Sequence, residues 1–185
     1  MTKRQYTIFF VLVAIGICAY YAYPRQSPAR GMTGVYWGAF DPPTVAHQEI
    51  ISIALKELKL KKLIVVVNNH KYKNYRDSLE RRLDLMRKVI SGTDVELLWQ
   101  DDEQKVDYAF LRSRIQGPIC SIAGYDAYRS WIQHSSPEER KRYDAIAVIP
   151  RGDETPLLYD ENAFLLPIKE EYRHVSSTKV RAATG

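Results

Sequence analysis

From residue 31 to residue 185, short apolar runs alternate with stretches whose apolar residues recur every three or four positions. No other feature of the chain constrains its fold as much. Val35-Tyr36-Trp37 reads as a first strand, Leu63 to Val67 as a second and Val95 to Trp99 as a third, with Ile119 to Ala123 and Ala145 to Ile149 following. The run Leu63-Ile64-Val65-Val66-Val67 is apolar at every position, so both of its faces need cover, as in a parallel sheet packed between helices. Val45 to Leu58 carries Ile50, Ile51, Ala54, Leu55 and Leu58 at helical spacing, and Leu79 to Ile90 carries Leu79, Leu83, Met86 and Ile90 in the same way. Asp107 to Ile115 and Asp126 to Gln133 read as two more helices. Strand and helix in strict turn predict an α/β domain, a doubly wound parallel sheet of about five strands. Ligands of such sheets bind beyond the carboxyl ends of the strands, so the loops there are where chemistry is expected.

The first thirty residues follow a different pattern. No side chain between Tyr6 and Tyr23 is charged, and Ile8 to Ile15 is almost wholly apolar. A membrane-spanning helix takes roughly 17–25 such residues, so one N-terminal transmembrane helix is expected. Residues 1–30 are then anchor and linker, and residues 31–185 one domain. Lys3 and Arg4 ahead of the run also allow a signal peptide or targeting segment. However, Tyr20-Tyr21-Ala22-Tyr23 is a poor cleavage site and suits a membrane interface. Lys3 and Arg4 on one side balance Arg25 and Arg30 on the other, which leaves orientation open. The split also explains the net charge of +5: residues 1–30 hold four of the 27 basic side chains and none of the 22 acidic ones. The remaining domain is nearly neutral, which argues against a nucleic-acid partner. Cys18 and Cys120 make neither a disulfide framework nor a metal-binding spacing.

Two loops carry candidate chemistry. In Gly34 to His47 the strand ends at Gly38, Pro43 forbids earlier helix, and Thr44 is a good N-cap. His47 then falls in the first helical turn, among unpaired N–H groups, where it adds a protonatable donor to an anion site. By itself the loop is equally a capped helix with an incidental histidine. In Val175 to Arg181, Ser176 can cap a helix whose first turn offers Ser177, Thr178 and Lys179, with Arg181 one turn on. A capped helix with a solvated basic face accounts for that segment as well.

As a pair, the loops resemble one superfamily. Gly38-Ala-Phe-Asp-Pro-Pro-Thr-Val-Ala-His47 is similar to the Gly-x-Phe-[Asp/Asn]-Pro-x-[His/Thr]-x-x-His signature of nucleotidyltransferases that attach AMP or CMP to a phosphate. Ser176-Ser-Thr-x-x-Arg181 resembles their second signature. Within that superfamily, the nicotinamide/nicotinate mononucleotide adenylyltransferases are nearest. Thr44 stands where many relatives have histidine. Asn68 to Lys73, Glu80 to Met86, Ala123 to Asp126, and Ile149 to Gly152 resemble their connecting segments. Trp99 and Trp131 fall near their pyridine-stacking aromatics.

The resemblance implies a Rossmann-like fold and a transfer of AMP from ATP, accompanied by Mg2+, to a pyridine mononucleotide. It gives His47 and Arg181 the catalytic contacts. Gly38, Ala39, Phe40, Thr44, Gly124, Asp126, Ser176, Ser177 and Thr178 fall to ATP and its phosphates, and Asp41, Lys71, Lys73, Trp99, Trp131 and Arg151 to the mononucleotide. No metal site built from side chains is expected, the partners are small molecules and a membrane, and a homo-oligomer is possible. The catalytic domain would face the cytosol or another ATP-containing side. Each assignment has a plainer alternative: Lys71 and Lys73 in a solvated turn, Gly124 and Asp126 as caps, the tryptophans as core. Pro43 beside Pro42 departs from the pattern, and the chain runs only four residues past Arg181. A weakened second phosphate site, or one completed by a partner subunit, would follow. The rival readings are a cytidylyltransferase, a phosphopantetheine adenylyltransferase, or a non-catalytic nucleotide-binding protein at a membrane.

Overall fold

A computed structural model of the chain describes residues 27–184. Its elements run β1 (Thr33–Gly38), α1 (Val45–Lys56), β2 (Lys62–Asn68), α2 (Leu79–Val89), β3 (Val95–Gln100), α3 (Tyr108–Arg114), β4 (Ile119–Gly124), α4 (Tyr125–His134), α5 (Pro137–Arg140), β5 (Ala145–Ile149), β6 (Ala163–Leu165), α6 (Glu170–Arg173) and α7 (Ser177–Thr184). The expected transmembrane helix lies outside the described residues. Among those described, no helix is long and apolar enough to cross a membrane.

The sheet has six strands in the order β3-β2-β1-β4-β5-β6, all parallel. This corrects the expected five. The missing strand, β6, is three residues at the sheet edge, with Leu165 exposed; its apolar run Ala163-Phe164-Leu165 is too short to read as a strand from pattern alone. It is fixed instead by pairing with β5 in the register Ile146 to Ala163 through Val148 to Leu165.

Side chains alternate across a strand, and here the alternation splits the core in two. On one face Tyr36, Leu63, Val65, Val67, Ile122 and Ala147 pack with Ile50 and Ala54 of α1 and Leu83 and Met86 of α2. On the other, Val35, Ile64, Val66, Ile146 and Val148 pack with Leu111 of α3 and Tyr125 and Tyr128 of α4. Helices on both faces cover the all-apolar strands, as the composition of β2 requires. Strand order reverses between β1 and β4, and the crevice at that switch point opens at the carboxyl edge. A cavity of about 520 Å³ lies at the opposite, amino edge, among Thr33, Lys61, Lys62, Glu96 and Arg114, far from the two signature loops.

Candidate functional site at the carboxyl edge

The site begins where β1 ends. Gly38 is needed for close approach: a Cβ there would lie 2.7 Å from Cζ of Phe40. Phe40 adopts a left-handed φ of 49° and buries its ring against Tyr36 and His47, at centroid distances of 5.3 and 5.0 Å. A non-glycine residue at positive φ is uncommon. It is held here by burial of the ring on both sides. The chain then turns at Asp41-Pro42 and enters α1 behind Thr44.

His47 occupies the third position of α1 and is buried. The Thr44 N–H donates to its Nδ1 at 2.9 Å, and the Thr44 hydroxyl lies 2.8 Å from the same atom. This is the reciprocal half of a capping box, with histidine in the usual place of glutamate. Because Nδ1 accepts, the ring proton resides on Nε2. Burial, with the Arg151 guanidinium second, lowers the imidazole's pKa to about 3. The expected protonatable donor is therefore corrected to a neutral one: water is excluded and a cation stands nearby, so His47 presents an N–H without a charge.

Arg151 follows β5 and reaches back over the crevice. Its Nη1 donates to the Val175 carbonyl at 3.3 Å, and a Cβ on Gly124 would meet its Nε at 3.3 Å. Gly124 thus leaves room for the guanidinium while standing as the N-cap of α4. Asp126 is exposed in the first turn of that helix.

The last helix closes the site from the side. The Ser176 hydroxyl accepts the Lys179 N–H at 3.3 Å, so Ser176 caps α7. The Ser177 hydroxyl donates to the Pro42 carbonyl at 2.8 Å, across 135 positions of sequence. Arg181 donates through Nη1 to the Asp41 carbonyl and through Nη2 to the Thr178 hydroxyl at 3.2 Å. The two signature loops are therefore in direct contact, and the N-termini of α1 and α7 meet at one edge with His47, Arg151 and Arg181.

The remaining expected residues are placed differently. Asp41 is only 1% exposed, and its carboxylate accepts the N–H groups of Arg76 and Asp77 at 2.9 and 3.0 Å. Lys71 is exposed and paired with Glu103 at 3.1 Å, which holds its ammonium above the ordinary lysine range. Lys73 lies exposed, 5.8 Å from the Tyr72 ring centroid. Trp99 packs on one core cluster and Trp131 on the other, the latter edge-on to Tyr143 at 5.4 Å. The structure thus does not bring the two tryptophans together.

Sequence reading missed Arg82, which is fully buried. Its guanidinium donates to the carbonyls of Ala39 and Asn68, both at 2.8 Å, to that of Asp77 at 3.2 Å and to Oδ1 of Asn69. It also lies 4.0 Å from the Tyr75 ring centroid. One signal could have found it: Arg82 falls three residues after Leu79 and four before Met86, on the apolar stripe of α2. A charge on a buried stripe implies a set of waiting acceptors.

Comparisons with known proteins agree with this fold. The cytidylyltransferase-like family model matches residues 35–183. A phosphopantetheine adenylyltransferase of Fusobacterium nucleatum is 51% identical over 61 residues, which are 33% of this chain and only 36% of that protein. A protein of the same bacterium named as a nicotinate-nucleotide adenylyltransferase is 22% identical over 163 residues, spanning 80% of this chain and 84% of its own length. Among solved structures, nicotinic acid mononucleotide adenylyltransferase of Plasmodium falciparum in complex with NaAD superposes with a TM-score of 0.63 at 15% identity, over 83% of each chain.

Proposed function

The chain belongs to the cytidylyltransferase-like family of nucleotidyltransferases, and on that premise we propose that it joins ATP to a pyridine mononucleotide, the nicotinate form first among them. One observation carries the reading. Two helix N-termini and the side chains of His47, Arg151 and Arg181 converge on the crevice between β1 and β4. That is a cradle for two phosphorylated ligands, with positive helix ends and guanidinium groups offsetting their mutual repulsion.

In the proposed reaction a phosphate oxygen of the mononucleotide attacks the α-phosphorus of Mg2+-bound ATP in line. The bond from that phosphorus to the β-phosphate oxygen breaks, and pyrophosphate leaves with the electron pair. No protein nucleophile is needed; the protein's contribution is alignment and stabilisation of charge moving onto the leaving group. His47 would donate its Nε2–H to a phosphate oxygen. Because the ring is neutral, this donor does not depend on pH near neutrality. Arg181 and the α7 N-terminus at Ser176, Ser177 and Thr178 would take the leaving phosphates. Thr44 would hold the α1 end, and the Gly38-Ala39-Phe40 turn would lie along the nucleotide. Gly124 and Asp126 would sit by the ATP ribose. Lys71, Lys73, Trp99 and Arg151 would face the mononucleotide, and Trp131 would offer only its outer face. For the uncharged run Tyr6 to Tyr23, we propose a membrane anchor that keeps the domain on an ATP-containing side.

The stretch 51% identical to a phosphopantetheine adenylyltransferase favours one second reading, the same transfer onto phosphopantetheine. The test is an acceptor panel: full chain, ATP and Mg2+, with nicotinate mononucleotide, nicotinamide mononucleotide or phosphopantetheine supplied separately. Pyrophosphate release with nicotinate mononucleotide is expected. Release with phosphopantetheine alone would transfer the assignment to the second reading, and ATP binding without release from any acceptor would refute both.

A further inference from the structure

We propose that Asp41 is a positioning residue that couples Arg181 of α7 to the segment 69–77 between β2 and α2, so that the two sides of the crevice are set together. With 1% of its surface exposed, Asp41 offers a ligand almost nothing to touch. Its carboxylate is instead spent on the protein. Oδ2 accepts from Arg76 N–H at 2.9 Å and lies 3.5 Å from Nη1 of Arg181, and Oδ1 accepts from Asp77 N–H at 3.0 Å. The same Arg181 nitrogen donates to the Asp41 carbonyl. Residues 35 and 140 positions away in sequence are thus tied to one side chain.

The segment 69–77 is clamped from its other side by Arg82. Asp77 gives its N–H to Asp41 and receives Arg82 Nε on its carbonyl at 3.2 Å, while Arg82 also grips Ala39, Asn68 and Asn69. Within the segment, the His70 N–H donates to the Tyr75 hydroxyl at 3.1 Å. A buried carboxylate is stable only while its hydrogen bonds and charge partners are in place. If Arg181 is removed, the carboxylate stays buried with one cation fewer. The Arg76–Asp77 backbone then has to yield for water to reach it. Movement of Arg181 onto a bound anion would act on the same joint. Arg181 therefore sets the segment carrying Lys71 and Lys73 through Asp41, without touching either lysine. The catalytic meaning of the coupling rests on the function proposed above; the coupling itself does not.

Amide hydrogen exchange of the full chain, followed by mass spectrometry, tests it without an activity assay. Arg181→Ala and Asp41→Asn should each speed exchange across residues 71–77 by roughly tenfold, the effect of losing one charge-assisted hydrogen bond. The double variant should be no faster than either single one, because both act through one joint. Arg181→Lys, which keeps a cation at a side chain far more exposed than the buried Asp41, should restore much of the protection. Unchanged exchange in Arg181→Ala, multiplying effects in the double variant, or no rescue by lysine would each overturn the proposal. A wild type inactive in the transferase assay would refute the functional reading and leave this result standing.

Discussion

His47 shows how far a single capping contact fixes chemistry. Accepting the Thr44 N–H at Nδ1 leaves the proton on Nε2, and burial beside Arg151 keeps a second proton off down to about pH 3. In an unfolded chain the imidazole takes up that proton near pH 6.5. Between about pH 6.5 and 3 the unfolded state therefore binds more protons than the folded one. Stability contributed by His47 rises with pH through that window, by up to ~1.4 kcal/mol per pH unit, and is flat above it. In His47→Asn the amide oxygen can still accept from Thr44, while the titration and the Nε2 donor are lost. Urea unfolding at pH 7.5 and pH 5 should show a smaller pH dependence in that variant than in wild type. Its turnover should fall on the order of 10²-fold, as for loss of one donor to a transition state. Gly38 makes a second residue-scale case. Gly38→Ala would drive a Cβ to 2.7 Å from Phe40, whose ring is wedged between Tyr36 and His47. A cost of about 1–3 kcal/mol, that of overpacking a filled site, should appear in the unfolding midpoint.

At the scale of elements, the last third of the domain depends on polar ties, because its apolar runs are short. Tyr128 of α4 donates to Asp160 at 2.9 Å and accepts the Tyr159 N–H at 2.9 Å, and Arg140 of α5 meets Asp160 at 3.0 Å. The side chains of Arg140 and Asp160 are 7% and 6% exposed. This buried cluster carries the chain from α4 and α5 into β6, a strand of three residues that, among the described residues, pairs with β5 alone. Arg140→Ala would strand the Asp160 carboxylate inside, at a cost of about 3 kcal/mol. The melting transition should drop accordingly, with exchange protection lost first around Ala163–Leu165. If β6 keeps its protection while the melting point falls, the pair stabilises something other than that strand.

At the scale of the molecule, the parts legible in sequence are those set by local pattern. The central strands announced themselves, because β2, β4 and β5 are apolar on both faces, while the edge strand β3 reads as a half-buried one with Glu96 turned to Lys62 and Arg114; α1 and α2 carried a stripe at helical spacing. The two signature loops were legible because helix caps are local too: Thr44 and Ser176 stand where the chain turns. What remained hidden depends on contacts between distant residues. β6 is defined by its neighbour, Asp41 is buried by Arg76, Asp77 and Arg181, and Arg82 finds acceptors in three separate segments. The switch between β1 and β4 assembles these distant pieces into a single crevice. The proposed function has this crevice move AMP from pyrophosphate onto the phosphate of the mononucleotide. ATP labelled at the α-phosphate, incubated with the full chain, Mg2+ and nicotinate mononucleotide, tests it most directly. The label should appear in a dinucleotide with one pyrophosphate released per product, whereas label that stays in ATP, or leaves only as free AMP, would contradict the account.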